Sequence, residues 1–136
     1  MTQLSAVVGA IQPGLQLAVE QVLDEFMEEL KGLTAVLVAS SDGFEVAARG
    51  RSSLEVSKLA AMACSISALG GMVGDESAIG QYQNVVVEAD DGYVVILDIP
   101  HPEYPMILNM VATREEVLGQ VLYRAKRAAS RLANVF

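Results

Sequence analysis

The first regular pattern along the chain is helical. Leu15, Val19, Val22, Leu23, Phe26 and Leu30 recur at three- and four-residue steps, while Glu20, Asp24, Glu25, Glu28 and Glu29 fill the other side, so an amphipathic helix is expected from Pro13 onward. Proline suits the first helical turn, where an N–H has no partner to lose, and Gly32 is placed to end the helix in the left-handed conformation. Residues 1–12 carry little periodic signal and are expected to be a loosely held arm before a single domain over residues 13–136. The period then shortens. TAVLVA at residues 34–39 is apolar and rich in β-branched side chains, the signature of a strand covered on both faces. Ser41-Asp42-Gly43 supplies a tight turn, and residues 44–49 return as a second strand.

Gly50-Arg51-Ser52 breaks the strand pattern, and Ser52 with Glu55 has capping-box spacing, so a helix is expected from about Ser53 to Val73. Gly70, Gly71 and Gly74 are expected to end it, followed by a polar connection to Gln83. NVVVEA (84–89) and YVVILDI (93–99) flank Asp90-Asp91-Gly92 and read as a hairpin. The Pro-rich run 100–105 forces a turn, and MILNMVA (106–112) is a fifth strand. Thr113 and Glu116 repeat the capping-box spacing before a helical stripe of Val117, Leu118, Val121, Leu122, Ala125, Ala129 and Leu132.

The order helix-strand-strand-helix-strand-strand-strand-helix, with short turns inside each strand group, predicts an α+β sandwich built on a five-stranded antiparallel sheet between helices. Neither sheet face alternates cleanly with polar residues, so helices should cover both sides. The acidic first helix and the last helix, with Arg124, Lys126, Arg127 and Arg131 near its end, are expected to share one face.

The middle helix carries two stripes. Leu59, Met62, Ile66, Leu69 and Val73 form one of large apolar residues; Ala60, Cys64, Ser67 and Gly71 form a second of small ones. Its only charges between Leu54 and Val73 are Glu55 and Lys58, so a monomer would show water a largely uncharged helix, unless that helix is buried in its own domain. As an edge, Asn84-Val85-Val86-Val87 would be flat, β-branched and unguarded apart from Glu88; the alternatives are pairing with a twin strand or an internal place in the sheet.

LVASSDGFEVA, KLAAMACSISALGGMVG, VVVEADDGYVVILDI and MILNMVA, in this order and spacing, resemble the roadblock family, the dynein-light-chain-like and MglB-like proteins that associate with Ras-like GTPases. The resemblance covers nearly the whole chain and implies a roadblock/profilin-like sandwich and a homodimer. The third strands would pair across a twofold axis, and the paired middle helices would receive the GTPase. Carried onto this sequence, the self-contact candidates are Asn84, Val85, Val86, Val87 and Glu88 with Ala60, Cys64, Ser67 and Gly71. By helical angle, the GTPase contacts are Ser57, Lys58, Ala61, Ser65, Ala68 and Met72. Arg49 and Arg51, expected on the loop before that helix, complete the set. A GTPase activator can lend an arginine to the transferring phosphate, but the MglB-like activators are not known for an inserted one.

Composition narrows the chemistry. With 17 acidic and 9 basic residues the net charge is −8, which disfavours phosphate backbones and anionic lipid, so neither nucleic-acid nor direct membrane binding is expected. The single cysteine cannot form an internal disulfide, and the first 30 residues contain no Lys or Arg to flank a signal peptide, so the reading is cytoplasmic. A mean hydropathy of +0.38 without Trp and with three Phe and four Tyr is an aliphatic excess, and part of it is expected to face another chain.

One His and one Cys cannot build the usual zinc site, Cys64 has no base nearby in sequence, and the Gly70–Gly74 run lacks the Lys-Ser/Thr end of a phosphate loop. No catalytic, cofactor-binding or metal-ligating set is therefore expected. Asp98, alone in an apolar strand, reads as a solvated strand end or a backbone hydrogen bond. The expected function is a non-catalytic homodimeric regulator or scaffold of a small Ras-like GTPase, with stimulated hydrolysis through the switch regions as one outcome. The alternative is a small-ligand sensor of profilin-like or PAS-like type, which would need an internal cavity with convergent polar groups.

Overall fold

The computed structural model describes residues 11–51 and 54–135. Helix α1 (Pro13–Glu29) precedes the hairpin β1 (Leu33–Ser40) and β2 (Glu45–Gly50). Helix α2 (Val56–Glu76), strands β3 (Val85–Ala89), β4 (Gly92–Ile99) and β5 (Met106–Thr113), and helix α3 (Leu118–Ala133) follow. The strands form one antiparallel sheet in the order β2-β1-β5-β4-β3, so the expected architecture is the observed one.

The two-sided apolar character of β1 and β5 follows from their central places. Leu15, Val19, Leu23 and Phe26 of α1 and Val121, Ala125 and Leu132 of α3 bury one sheet face through Val36, Val38, Val95, Leu108 and Met110. Helix α2 covers the opposite face over Leu37, Ala39, Ile96 and Ile107. Gly43, with φ of 93°, makes the β1–β2 turn in a backbone region that disfavours a Cβ.

Helix ends depart from the sequence reading. Pro13 opens α1 as expected, but Leu30 caps its end in extended backbone. Gly32 is not among the described glycines of positive φ. Arg51 serves that end instead: its guanidinium donates to the carbonyls of Met27 and Leu33 and, at 3.5 Å, of Leu30, a cationic cap on the negative helix pole. Gly32 is small for another reason. Its N–H donates to Glu116 Oε2 at 2.7 Å, and an added Cβ would lie 2.6 Å from Glu116 Cγ.

Glu116 thus spends its carboxylate across the fold, α3 begins at Leu118, and its N-cap Val117 makes no side-chain cap; the Thr113–Glu116 box does not form. The Ser52–Glu55 box involves residues outside those described, as do residues 1–10 of the arm expected over residues 1–12; of its last two residues, Ile11 packs on the main core and Gln12 is the N-cap of α1. The glycines of α2 do not end it either. The helix runs through them to Glu76, and Gly74 lets the next segment close in, since a Cβ there would sit 2.4 Å from the Gly80 carbonyl oxygen.

Helices α1 and α3 do share a face, joined by Arg124 to Glu29 at 2.5 Å and Arg131 to Glu25 at 2.9 Å. These pairs are partly solvated, so each is worth about 0 to 1 kcal/mol and screened by salt. Thermal melting at low and at 1 M salt (the latter a Debye length of about 3 Å) should therefore differ by only a few degrees. A large salt-induced loss of stability would mean that the pairs are far more desolvated than their exposure indicates.

Candidate interaction surface

Helix α2 places its small residues inward. Ala60 and Ala63 are fully buried and Gly74 is buried; such residues let the helix lie close on a sheet face already filled by Leu37, Ile96 and Ile107. Ala60 therefore packs on Leu37 and Ala39 of its own sheet, which corrects its expected place at a self-contact. Cys64 and Ser67 turn the same way. The Cys64 thiol donates to the Ser41 carbonyl at 2.9 Å and Ser67 bonds to Asp98. Of the small stripe only Gly71 faces open space, with no atom within 4 Å of an added Cβ.

The large residues go outward and to the side. Met62, Leu69 and Val73 are 56%, 58% and 60% exposed, whereas Leu59 and Ile66 pack partly on the sheet. This side flank borders a groove of about 550 Å³ lined by Ile66, Leu69, Val73, Ile79, Tyr82 and Val85, open beside the helix rather than enclosed in the core. Ser57, Lys58, Ala61, Ser65, Ala68 and Met72 are all exposed and form a nearly uncharged row. By length and composition alone α2 could cross a membrane, but its inward row is packed along the sheet.

Strand β3 is an edge of the sheet, one of the alternatives left open by its sequence. Val85 and Val86 pack toward opposite faces, Val87 is 45% exposed, and Asn84 lines the groove. Arg114 braces its end by donating to Glu88 at 3.0 Å and to the carbonyls of Asp90, at 2.9 Å, and Ala89. The outer edge of β3 and the exposed flank of α2 thus lie on one side of the molecule.

Arg49 and Arg51 do not join this surface. Arg49 lies in β2 and pairs with Asp24 of α1 at 2.8 Å, and Arg51 caps α1, so both serve the opposite sheet face. Arg51 lies on the expected loop and Arg49 inside β2, but both guanidiniums find acceptors on or at the end of α1, remote in sequence. His101 is structural as well. Its Nδ1 accepts the N–H groups of Glu103 and Tyr104 at 3.1 Å, which makes Nε2 the donor to the Val135 carbonyl at 2.7 Å.

Sequence reasoning missed the partners of Asp98. Ser67 Oγ and Tyr82 OH both reach its Oδ1, at 2.7 and 2.6 Å, and lie 2.8 Å from each other. Burial first, then the hydrogen bond to Asp98, raises the Tyr82 pKa far above the ordinary tyrosine value. The signal in the sequence was a charge inside an apolar strand; the hydroxyls that hold it lie 31 and 16 residues away.

A family model for the Roadblock/LC7 domain matches residues 19–100. Among solved structures, the gliding protein MglB from Thermus thermophilus is 19% identical with a TM-score of 0.79, covering 90% of this chain and 91% of that one. An MglB with a tetrameric arrangement is 24% identical, with a TM-score of 0.76 and 90% of each chain covered. A Roadblock/LC7 domain from Streptomyces avermitilis is 19% identical, with a TM-score of 0.73, covering 82% of this chain and 92% of that one. No curated protein matches the sequence.

Proposed function

The chain belongs to the Roadblock/LC7 family, and from that premise we propose that it is a non-catalytic regulator or scaffold that pairs with a second copy of itself and holds a small Ras-like GTPase on the outward row of α2. The observation that carries this reading is the division of α2 into rows. The inward row makes the fold, while Met62, Leu69 and Val73 on the flank and Ala61, Ser65, Ala68 and Met72 on the outside remain exposed. Uncharged helix surface on this scale marks an interface. Flank and β3 edge suit the second copy, because they adjoin and an open strand edge gains from pairing. The outward row suits the GTPase. Stimulation of hydrolysis would then come from holding the switch regions, since the two arginines once candidates for the surface are occupied on α1.

The outward row is tested by Ala61→Glu and Met72→Asp. Each should leave the folded chain within about 0.5 kcal/mol of the parent, because both sites are solvent-facing. Each should weaken retention of a purified GTP-loaded Ras-like GTPase from the same source by at least about tenfold, since docking would strip water from an unpaired carboxylate. Undiminished binding by both variants would move the partner to another surface or end the GTPase reading.

A further inference from the structure

Asp98 stands between buried Leu97 and Ile99 near the end of β4, and its setting is more built than a solvated strand end requires. Ser67 from α2 and Tyr82 from the connection after α2 converge on one oxygen, Oδ1. Two hydroxyl donors fix the direction of a carboxylate. Fixing it costs rotamer freedom that a carboxylate meant only for water would keep. Among the described residues no hydrogen bond or ion pair uses Oδ2. The ion pairs there lie elsewhere, and the one basic side chain on α2, Lys58, is paired with Glu55.

Asp98 also lines a cleft of about 410 Å³ together with Ser41, Ala68, Pro100, Pro105 and Ile107. The cleft offers an apolar wall and acceptors in the carboxylate and the Ser67 hydroxyl, and the Ser41 carbonyl beside them accepts the Cys64 thiol. Its one formal charge is negative, in a chain of net charge −8. Ala68 belongs both to this cleft and to the outward row of α2, so the cleft opens beside the surface assigned to the partner.

We propose that this cleft receives an arginine side chain from the protein that docks on α2, with its stem against Pro100, Pro105 and Ile107 and its guanidinium on Asp98. Arginine fits better than lysine because a weakly hydrated planar head with five donors can serve several acceptors at once, whereas an ammonium is a compact, strongly hydrated point charge. The identity of the donor protein rests on the function proposed above; the chemistry of the cleft does not.

The two parts separate experimentally. Amide NMR of the full chain is titrated with N-acetyl-arginine-methylamide and with the matching citrulline compound, its neutral isostere. The arginine compound should shift signals of Ser41, Ser67, Ala68, Asp98 and residues 100–107, and the citrulline compound should bind at least about tenfold more weakly. Asp98→Asn, which keeps an acceptor for Ser67 and Tyr82, should abolish the difference between the two compounds. In the assay with the purified GTPase it should weaken binding about tenfold while Tm holds.

Equal responses to the two compounds, no response at tens of millimolar, or a response indifferent to Asp98→Asn would overturn the proposal. If the titration succeeds but Ala61→Glu leaves GTPase binding intact, the arginine cleft stands and the docking surface falls. If Ala61→Glu breaks binding and the titration fails, only the cleft falls.

Discussion

Gly92→Ala is expected to melt about 10 °C below the parent, a loss of about 3 kcal/mol or more. Gly92 opens β4 opposite Thr113, and a Cβ built on it would lie 2.2 Å from the Ala112 carbonyl oxygen and 3.2 Å from the carbon behind it. The obstruction is backbone of the adjacent strand, so no rotamer change relieves it. Either the β4–β5 ladder opens at that end or the β3–β4 hairpin tilts away. Both responses disturb β3, and the loss should appear as earlier exchange of the β3 amides as well as in Tm. Gly119→Ala is the control, because no atom lies within 4 Å of its added Cβ, and it should be neutral or stabilising by up to about 1 kcal/mol. If the two variants melt together, the close approach at Gly92 is not what holds that corner.

Leu69→Asp should convert the proposed dimer into a monomer. If the flanks of two α2 helices face each other, each chain would carry a carboxylate into an apolar contact, and the two would meet near the symmetry axis. A penalty of at least about 3 kcal/mol corresponds to roughly a 100-fold rise in the dissociation constant. At micromolar concentration, light scattering should fall from twice the 14.4 kDa chain mass to that of one chain. Because Leu69 is already more than half exposed within its own chain, far-UV circular dichroism should not change. A parent that runs as a monomer, or a Leu69→Asp variant that remains dimeric, would remove α2 from the self-contact.

The order of elements, the two-sided burial of β1, and the shared face of α1 and α3 were legible because each follows from a local period or a local turn. Details set by contacts remote in sequence were not. The period of α2 displayed two stripes without indicating which met the sheet. That depended on Leu37, Ile96 and Ile107 already filling the sheet face, which left depth only for Ala60 and Ala63. Capping-box spacing at Thr113 and Glu116 was present, yet the Glu116 carboxylate found the Gly32 N–H, 84 residues away. Arg51 looked like a surface loop residue until the last carbonyls of α1 appeared within its reach. Asp98 was visible as an anomaly, but its hydroxyl partners lie on other elements.

The row division of α2 also bears on how such a chain can diverge. Ala60 and Ala63 are held to small side chains by the sheet beneath them, and the outward positions meet no constraint from the interior of their own chain. If the outward row holds the partner as proposed, substitution there can change which protein is held without endangering the hydrophobic interior. Duplicated copies could part ways in recognition while keeping the same architecture. For an engineer, Ala61, Ser65, Ala68 and Met72 are four adjacent sites that can be randomised together on a rigid backbone, which makes the helix a ready scaffold for selecting new binding specificities.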